Sequence, residues 1–176
     1  SSLRIRRDAA AHRSYVEDWK KVKKLRESSM GLRSPAEFKE GLRDGREVYY
    51  RGERIEDVVS HHDLGIGVEH VALDFAMAED PTHRDLMTLQ DPHLGESISR
   101  YFKVPSDAED LLKRREMIER STRLGDGVVL LIKEIGSDAL FALDLVSSLV
   151  DKELGTEYRL RVGAFIKSCK KKDLSL

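Results

Sequence analysis

The chain has 176 residues, of which 40% are hydrophobic and 36% charged, and its net charge is -1. This composition is typical of one folded domain and excludes a disordered chain, a collagen and a small disulfide scaffold. The longest uninterrupted apolar run, residues 128–132, is far shorter than the roughly 20 residues that cross a bilayer. The single cysteine, Cys169, cannot form an internal disulfide. A reducing compartment is therefore favoured, and the cytoplasm is predicted.

Basic residues are concentrated at the start of the chain. Residues 1–33 carry ten lysines and arginines against four acidic residues. Tyr15 and Trp19 begin an apolar stripe at helical spacing, so this segment is predicted to be a basic helical extension. Both aromatic residues fit that stripe better than a base-stacking platform, which argues against nucleic-acid binding. Residues 34–176 are predicted to form the main domain.

The first half of that domain is predicted to contain two helices and a hairpin. Residues 34–37, Ser-Pro-Ala-Glu, form a capping box that predicts a helix from 35 to about 43. Residues 47–55 are interpreted as two short strands around a tight turn, the only hairpin predicted. Apolar residues at helical spacing then predict a helix that ends at Asp80, before Pro81.

The second half is predicted to be helical throughout. A short helix is expected near Tyr101, and the capping box at 106–109, Ser-Asp-Ala-Glu, predicts a helix to about Leu124. The apolar run 128–135 predicts a helix buried on most sides. Ser137 is expected to cap a further helix to Leu154. A last helix carries an apolar stripe of Val162, Phe165, Ile166 and Cys169. The fold class is therefore mainly α, a helical bundle with one short β-hairpin.

Two side chains are catalytic or binding candidates by residue type. His83 follows a turn and could act as a general base, because imidazole titrates near neutral pH. Arg123 precedes the apolar run, where a guanidinium could meet phosphate or carboxylate. A surface or packed histidine and an exposed salt bridge are the respective alternatives. Polar residues of metal-ligand type also occur together: His61, His62, Asp63 and His70. They are interpreted as a solvated turn, so no metal site is predicted.

Residues 34–59 resemble the opening of the flavin-dependent 4-hydroxyphenylacetate 3-hydroxylase family. Four further segments look like the related 4-hydroxybutyryl-CoA dehydratases: 80–88, 106–111, 136–139 and 155–158. The resemblance covers about residues 34–175 and implies the N-terminal helical domain of an acyl-CoA-dehydrogenase-like architecture. Such relatives continue into a β domain that covers the flavin and a C-terminal bundle that builds the tetramer. This chain is therefore expected to be a fragment of a longer enzyme, a split subunit or a binding remnant.

The same resemblance identifies four positions at which this sequence differs from its relatives. Leu130 and Glu134 stand where the dehydratases have cluster-ligating cysteines, and leucine cannot ligate iron, so no iron-sulfur cluster of that type is expected. Leu131 and Ile135 stand where the hydroxylases carry an arginine and a tyrosine, which argues against recognition of 4-hydroxyphenylacetate itself. These four residues are candidates for a wall that faces substrate or flavin, and plain core is the favoured alternative.

Three functions follow as hypotheses. The first is part of a hydroxylase-like monooxygenase that uses reduced FAD, with a flavin-domain polypeptide or the missing C-terminal part as partner and a flavin reductase as a further one. The second is a dehydratase- or isomerase-like enzyme acting on an acyl-CoA. The third is a non-enzymatic helical partner module. A homo- or hetero-oligomer is expected in the enzymatic cases.

Overall fold

The described part of the chain folds mainly into helices, accompanied by two small β-hairpins. The computed structural model describes residues 31–128 and 132–176, so most of the predicted basic extension lies outside the described residues and stays a prediction. The described helices are α1 (Pro35–Glu40), α2 (Leu64–Glu79), α3 (Arg84–Met87), α4 (Ala108–Leu124), α5 (Ile132–Leu154) and α6 (Tyr158–Lys171), with a 3-10 helix at Arg100–Phe102. The strands are β1 (Val48–Tyr50), β2 (Glu53–Ile55), β3 (Thr88–Asp91) and β4 (Glu96–Ser99). The predicted mainly helical class is confirmed.

Helix α1 begins at the predicted capping box. The Ser34 hydroxyl accepts a hydrogen bond from the Glu37 amide at 3.1 Å, and the Glu37 carboxylate accepts one from the Ser34 amide at 2.8 Å. Both donors belong to the helix end, where no intrahelical acceptor is available. The helix ends at Glu40, about three residues before its predicted end, and it presents Phe38 to the core.

The prediction of a single hairpin is wrong. Strands β1 and β2 form the predicted one, with Arg51 and Gly52 both in the left-handed region that a two-residue turn requires. A second antiparallel hairpin joins β3 and β4, and Asp91 builds its turn by accepting hydrogen bonds from the amides of His93 and Leu94. An aspartate followed by proline and glycine is a turn signal that the sequence contained. The short helix expected nearby is reduced to the 3-10 turn that follows β4.

Helices α2 and α4 end close to their predicted positions, at Glu79 and Leu124. The cap of α4 differs from the prediction. Asp107, rather than Ser106, is the N-cap, because its carboxylate accepts the Asp110 amide hydrogen bond at 2.9 Å. The Ser106 hydroxyl instead donates to the Asp110 carboxylate at 2.8 Å. Because both candidate caps are good acceptors, the sequence pattern alone could not choose between them.

Helix α5 is continuous from Ile132 to Leu154, which contradicts the prediction of two helices here, one over 128–135 and one capped by Ser137. Gly136 lies inside the helix, and Leu176 packs directly against it. An added Cβ at this position would lie 2.5 Å from the Leu176 Cβ. The Ser137 hydroxyl is buried and donates to the Glu134 carbonyl at 2.9 Å. A close backbone approach therefore explains this glycine better than a helix end.

The buried apolar residues in the described ranges form three clusters. One joins α2, α3 and α4 and contains Met77, Ala78, Met87, Tyr101 and Met117. A second contains Ile98, Phe102, Leu140 and Cys169. The third contains Phe38, Ala72 and Phe75. The predicted burial of Cys169 is confirmed, whereas Phe165 of the same predicted stripe is 51% exposed. Leu140 is the one residue that α5 adds to these clusters, so most of the apolar side chains of α5 lie outside the described core.

Candidate functional site

One face of α5 is apolar and exposed to solvent. Its residues follow one another at alternating spacings of three and four: Ile132, Ile135, Ala139, Ala142, Val146 and Leu149. We name this set the α5 open face. The side chains of Ile135 and Val146 are 60% and 53% exposed. Alternation of three and four is the spacing by which one helix packs along another.

The predicted wall residues fall on different sides of α5. Ile135 lies on the open face, Glu134 lies toward α4, and Leu130 and Leu131 lie outside the described residues. The interpretation of the 128–135 run as a helix buried on most sides is wrong where the structure describes it, because Val128, Ile132 and Ile135 are all exposed. At the start of α5 the apolar side chains are exposed, and the charged Lys133 is the buried one, at 3% exposure.

Arg114 fixes the first turns of α5 to α4 and to the 3-10 helix. Its guanidinium donates to the Ser137 hydroxyl at 2.9 Å, to the Asp138 carboxylate at 2.7 Å and to the Tyr101 carbonyl at 3.1 Å. Its Nε lies 3.9 Å from the Glu134 carboxylate. Burial raises the pKa of Glu134, and the Arg114 charge opposes that rise. The first turns of α5, and with them the α5 open face, are thus held from behind by a planar guanidinium that makes several hydrogen bonds.

Behind the open face lies a set of buried ionisable residues: Asp74, Tyr101, Lys133 and Asp173. We name it the buried charge cluster. Lys133 Nζ lies 2.6 Å from Asp173 Oδ1 and 4.2 Å from the centre of the Phe75 ring. The Tyr101 hydroxyl donates to Asp74 Oδ1 at 3.1 Å. Lys133 therefore pairs with Asp173, whereas Asp74 on α2 is held by the Tyr101 hydroxyl.

Burial raises the pKa of Asp74 to about 6, and this rise persists although the Lys133 charge and the Tyr101 hydrogen bond both lower it. The charges of Asp173 and Glu134 add to the rise. Burial, followed by the Asp74 charge, raises the pKa of Tyr101. Tyr101 is therefore a hydrogen-bond donor at neutral pH, and Asp74 is the member whose charge changes in the mildly acidic range.

Asp74 makes the stability of the chain pH-dependent. Its pKa is higher in the folded chain than in the unfolded one, so its contribution is complete below pH 3.8 and is lost as the pH rises through 6. We expect Asp74→Asn to match the wild type at pH 4 and to exceed its free energy of unfolding by about 3 kcal/mol at pH 7.5, since each pKa unit corresponds to about 1.4 kcal/mol. Urea unfolding across this pH range measures the difference. Asp126→Asn, at an exposed position, is the control, and an identical pH profile for both variants would contradict the prediction.

His83 and Arg123, the two candidates chosen by residue type, have partners other than those of Glu134. His83 Nδ1 lies 3.4 Å from the Arg120 guanidinium. Arg120 is in the last part of α4, beyond Arg114. Arg123 is exposed and pairs with Glu119 at 2.5 Å, one turn earlier on its own helix. The exposed salt bridge that was the alternative for Arg123 is therefore present. Neither residue joins the surface built around α5.

Sequence reasoning missed the buried charge cluster, although a signal was present. Lys133 interrupts an apolar run, and Asp74 stands between Leu73 and Phe75. A charge surrounded by apolar neighbours on a helix indicates a buried, paired group. The partners were not visible, because Asp173 is distant in sequence from both Lys133 and Asp74.

Neither a metal nor a membrane is indicated by the described parts of the chain. Within residues 31–128 and 132–176, no group of three or more metal-type ligands lies close enough to hold an ion. His61, one of the residues considered for that role, uses Nδ1 to accept hydrogen bonds from the amides of Asp63 and Leu64 at 3.2 Å each. None of the helices in these same residues has the length and apolar character needed to span a bilayer.

Comparisons with known sequences agree with the resemblance noted above. Residues 34–176 match the family described as 4-hydroxyphenylacetate 3-hydroxylase N terminal. The 4-hydroxybutyryl-CoA dehydratase/vinylacetyl-CoA-Δ-isomerase of Clostridium aminobutyricum is 28% identical over 145 residues, which cover 81% of this chain and 29% of that protein. The 4-hydroxyphenylacetate 3-monooxygenase oxygenase component of Escherichia coli is 32% identical over 92 residues, or 52% of this chain and 18% of that protein.

Solved structures show the same fold. An archaeal 4-hydroxybutyryl-CoA dehydratase from N. maritimus superimposes with a TM-score of 0.72 at 24% identity, over 82% of this chain and 28% of that one. The oxygenase component of a 4-hydroxyphenylacetate 3-monooxygenase gives 0.67 at 21% identity, over 81% and 29%. This chain thus spans less than a third of the length of these relatives.

Proposed function

This chain belongs to the 4-hydroxyphenylacetate 3-hydroxylase N-terminal family, and on that premise we propose that it is the N-terminal helical domain of a flavin-dependent, hydroxylase-like oxidoreductase. The observation that carries the proposal is the family match across residues 34–176. In this proposal the flavin-binding part is either the continuation of a longer polypeptide or a separate subunit. The α5 open face is the surface against which that part packs.

Relatives named as oxygenases support the monooxygenase assignment. A 4-nitrophenol 2-monooxygenase oxygenase component from Rhodococcus is 35% identical over 83 residues, or 47% of this chain and 16% of that protein. The oxygenase component of 4-hydroxyphenylacetate 3-monooxygenase has also been solved with FAD bound, and that structure gives a TM-score of 0.62. FAD is therefore the cofactor we propose, with a flavin reductase as its source of electrons.

In this proposal the described residues cover one side of the flavin, and the rest of the cofactor contacts the part that this chain does not span. Ile132 and Ile135 provide an exposed apolar surface, which suits a flat ring or an aromatic substrate. Reduced FAD would supply the oxygen chemistry, in which one atom of dioxygen enters a phenol and the other leaves as water. This chain contributes an apolar wall that excludes water, held in place by Arg114 from behind. The groups that hold the cofactor phosphates are assigned to the part of the relatives that this chain does not span.

A dehydratase-like enzyme acting on an acyl-CoA is the second candidate. It is favoured by the longer alignment with the Clostridium aminobutyricum protein, which covers 81% of this chain against 52% for the Escherichia coli oxygenase. Leucine at position 130 argues against an iron-sulfur cluster of the type that the resemblance implies for dehydratases, because its side chain has no ligating atom. The hydroxylase-like proposal therefore comes first.

The experiment isolates the chain from its native source under mild conditions and records intact masses and the visible spectrum. A flavin band on a longer polypeptide or on a co-eluting subunit, with oxygen uptake on adding reduced flavin and a phenol, would support the proposal. Bound iron and turnover of a CoA ester would support the dehydratase alternative. A lone colourless chain of this mass would favour the non-enzymatic partner module and contradict both enzymatic proposals.

The role of the α5 open face can be tested in the complete flavin-containing protein. We expect Val146→Glu combined with Leu149→Glu to weaken retention of the flavin-binding part at least tenfold, because two carboxylates would be buried in an apolar contact and 1.4 kcal/mol already changes affinity tenfold. Both side chains are more than half exposed in this chain, so its own unfolding should change by less than about 0.5 kcal/mol. Light scattering after size exclusion and flavin content measure the outcome.

Leu112→Glu is the matched control for that experiment, because Leu112 is an equally exposed leucine on α4. It should leave both assembly and flavin content unchanged. If the double variant assembled as well as this control, the open face would not be the packing surface.

A further inference from the structure

One face of α6 carries cations around an apolar centre. It lies away from the buried Cys169, and we name it the α6 basic face: Leu160, Arg161, Gly163, Ala164, Lys167 and Lys171. The members at positions 160, 164, 167 and 171 follow one another at spacings of four and three, so they form one stripe along the helix. All members except Lys171 are exposed, and Leu160 is 74% exposed.

The charge of α6 has a single sign. The helix contains five lysines and arginines and no acidic residue. The two cations outside the α6 basic face have partners in the domain: Arg159 lies 3.3 Å from the Asp144 carboxylate, and Lys170 lies 3.1 Å from that of Asp91. The three cations on the face pair with no carboxylate of residues 31–128 and 132–176. Their positive charge is therefore available to a partner of negative charge.

Gly163 has no packing role within the described domain. It lies in the interior of α6, where glycine lowers the folding equilibrium constant about fivefold relative to alanine. Its backbone is helical, so no left-handed conformation requires glycine, and an added Cβ would meet nothing within 4 Å. Glycine on an open helix face allows another backbone to approach closely.

We propose that the α6 basic face docks a separate protein that presents an acidic amphipathic helix. Leu160 and Ala164 contact the apolar stripe of that helix, and Gly163 lets the two backbones approach each other. The three cations pair with acidic side chains on the flanks of the partner helix. This inference is independent of the proposed flavin chemistry.

The composition of the face indicates a transient partner rather than another part of the same enzyme. Three of its six members are charged, whereas all six members of the α5 open face are apolar. Permanent interfaces resemble a protein core cut in half, and more polar ones are typical of partners that associate and separate. Complementary charges mainly raise the rate of association. The two faces therefore have different occupants.

Charge and shape argue against the other occupants of this face. A second copy of α6 would place like charges opposite one another, which is unfavourable. Residues 1–33, with ten lysines and arginines against four acidic residues, would also add positive charge. Helices that bind membrane surfaces carry several large apolar side chains, whereas this face carries one, Leu160.

Binding of synthetic helical peptides to the full 176-residue chain tests the proposal, with fluorescence anisotropy as the measurement. The acidic probe has leucine and alanine on one face and glutamate on both flanks. The basic probe has lysine in place of each glutamate. We expect the acidic probe to bind about tenfold more tightly than the basic one, and the difference to shrink as salt is raised, because exposed charges are screened.

Variants identify the residues responsible. Arg161→Glu combined with Lys167→Glu should weaken binding of the acidic probe about tenfold. Arg115→Glu combined with Lys152→Glu is the matched control, because it makes the same change in net charge at exposed positions on α4 and α5, and it should weaken binding less than about twofold. Gly163→Gln should weaken binding about tenfold and yet raise the folding equilibrium constant about threefold, since glutamine is the better helix former. A purely structural role of Gly163 would not give these opposite effects.

Equal binding of the two probes, or an equal loss of binding in the control variant, would overturn the proposal. It would also be overturned if the acidic probe failed to bind while phosphatidylserine vesicles or an oligonucleotide bound through Arg161 and Lys167. A dimer detected by light scattering and abolished by Gly163→Gln would assign the face to a second copy of this chain instead.

Discussion

Replacing Lys133 with methionine is expected to lower the free energy of unfolding by about 3–5 kcal/mol at pH 7, because it leaves the Asp173 carboxylate buried without its charge partner. The contact of the ammonium with the Phe75 ring is lost as well. Methionine fills a similar volume, so the effect reports the missing charge rather than a cavity. Urea unfolding followed by circular dichroism gives the magnitude.

Lys152→Met is the control for this substitution, because Lys152 lies on the exposed surface of the same helix. A change of less than about 0.5 kcal/mol is expected for it. Lys133→Met combined with Asp173→Asn should recover part of the loss, since a buried amide is less costly than a buried carboxylate and asparagine tolerates the left-handed backbone of position 173. If Lys133→Met unfolded like Lys152→Met, the pair would be unimportant for stability.

The second large effect is expected at Phe75. Its side chain is completely buried, stacks on Phe38 with ring centres 4.8 Å apart, and supports the Lys133 ammonium on its face. Phe75→Ala should therefore destabilise the chain by about 3–5 kcal/mol, through lost transfer free energy and a cavity between α1 and α2. Thermal or urea unfolding measures this change.

Phe165→Ala provides a matched comparison, because Phe165 is 51% exposed on α6 and its loss should cost less than about 1 kcal/mol. Combining Phe75→Ala with Phe38→Ala should destabilise the chain by about 0.5–1.5 kcal/mol less than the sum of the separate effects, because each single variant already removes the stacking interaction. Additive effects would show that the two rings contribute only by their buried area.

The parts of the fold that could be predicted are those set by neighbours in sequence. The capping box at Ser34 and the proline after Asp80 fix the start of α1 and the end of α2 through contacts within a few residues. The second hairpin was missed because strands of four residues give a weak periodic signal, and its turn depends on the side chain of Asp91.

The orientation of α5 could not be predicted, because distant residues determine it. Its apolar run suggested core, yet Lys133 and Ser137 face inward, since Asp173 and Arg114 provide their partners there. The apolar residues are displaced to the opposite side, where the open face lies. A helix with apolar residues on several sides does not reveal which side is covered by its own domain and which by another. The resemblance to known enzymes pointed to this helix without showing its orientation.

The hydrogen bonds from Gly31 to Lys171 and from Arg33 to Asp173 bring the first and last parts of the described domain to one corner. Each of these hydrogen bonds joins residues 140 positions apart in sequence, so its formation closes a loop that contains nearly all of the described elements. Contacts of such long sequence separation are made late, because the entropy lost on closing the loop must first be offset by other contacts. They should therefore form after the three core clusters rather than start the folding of this domain.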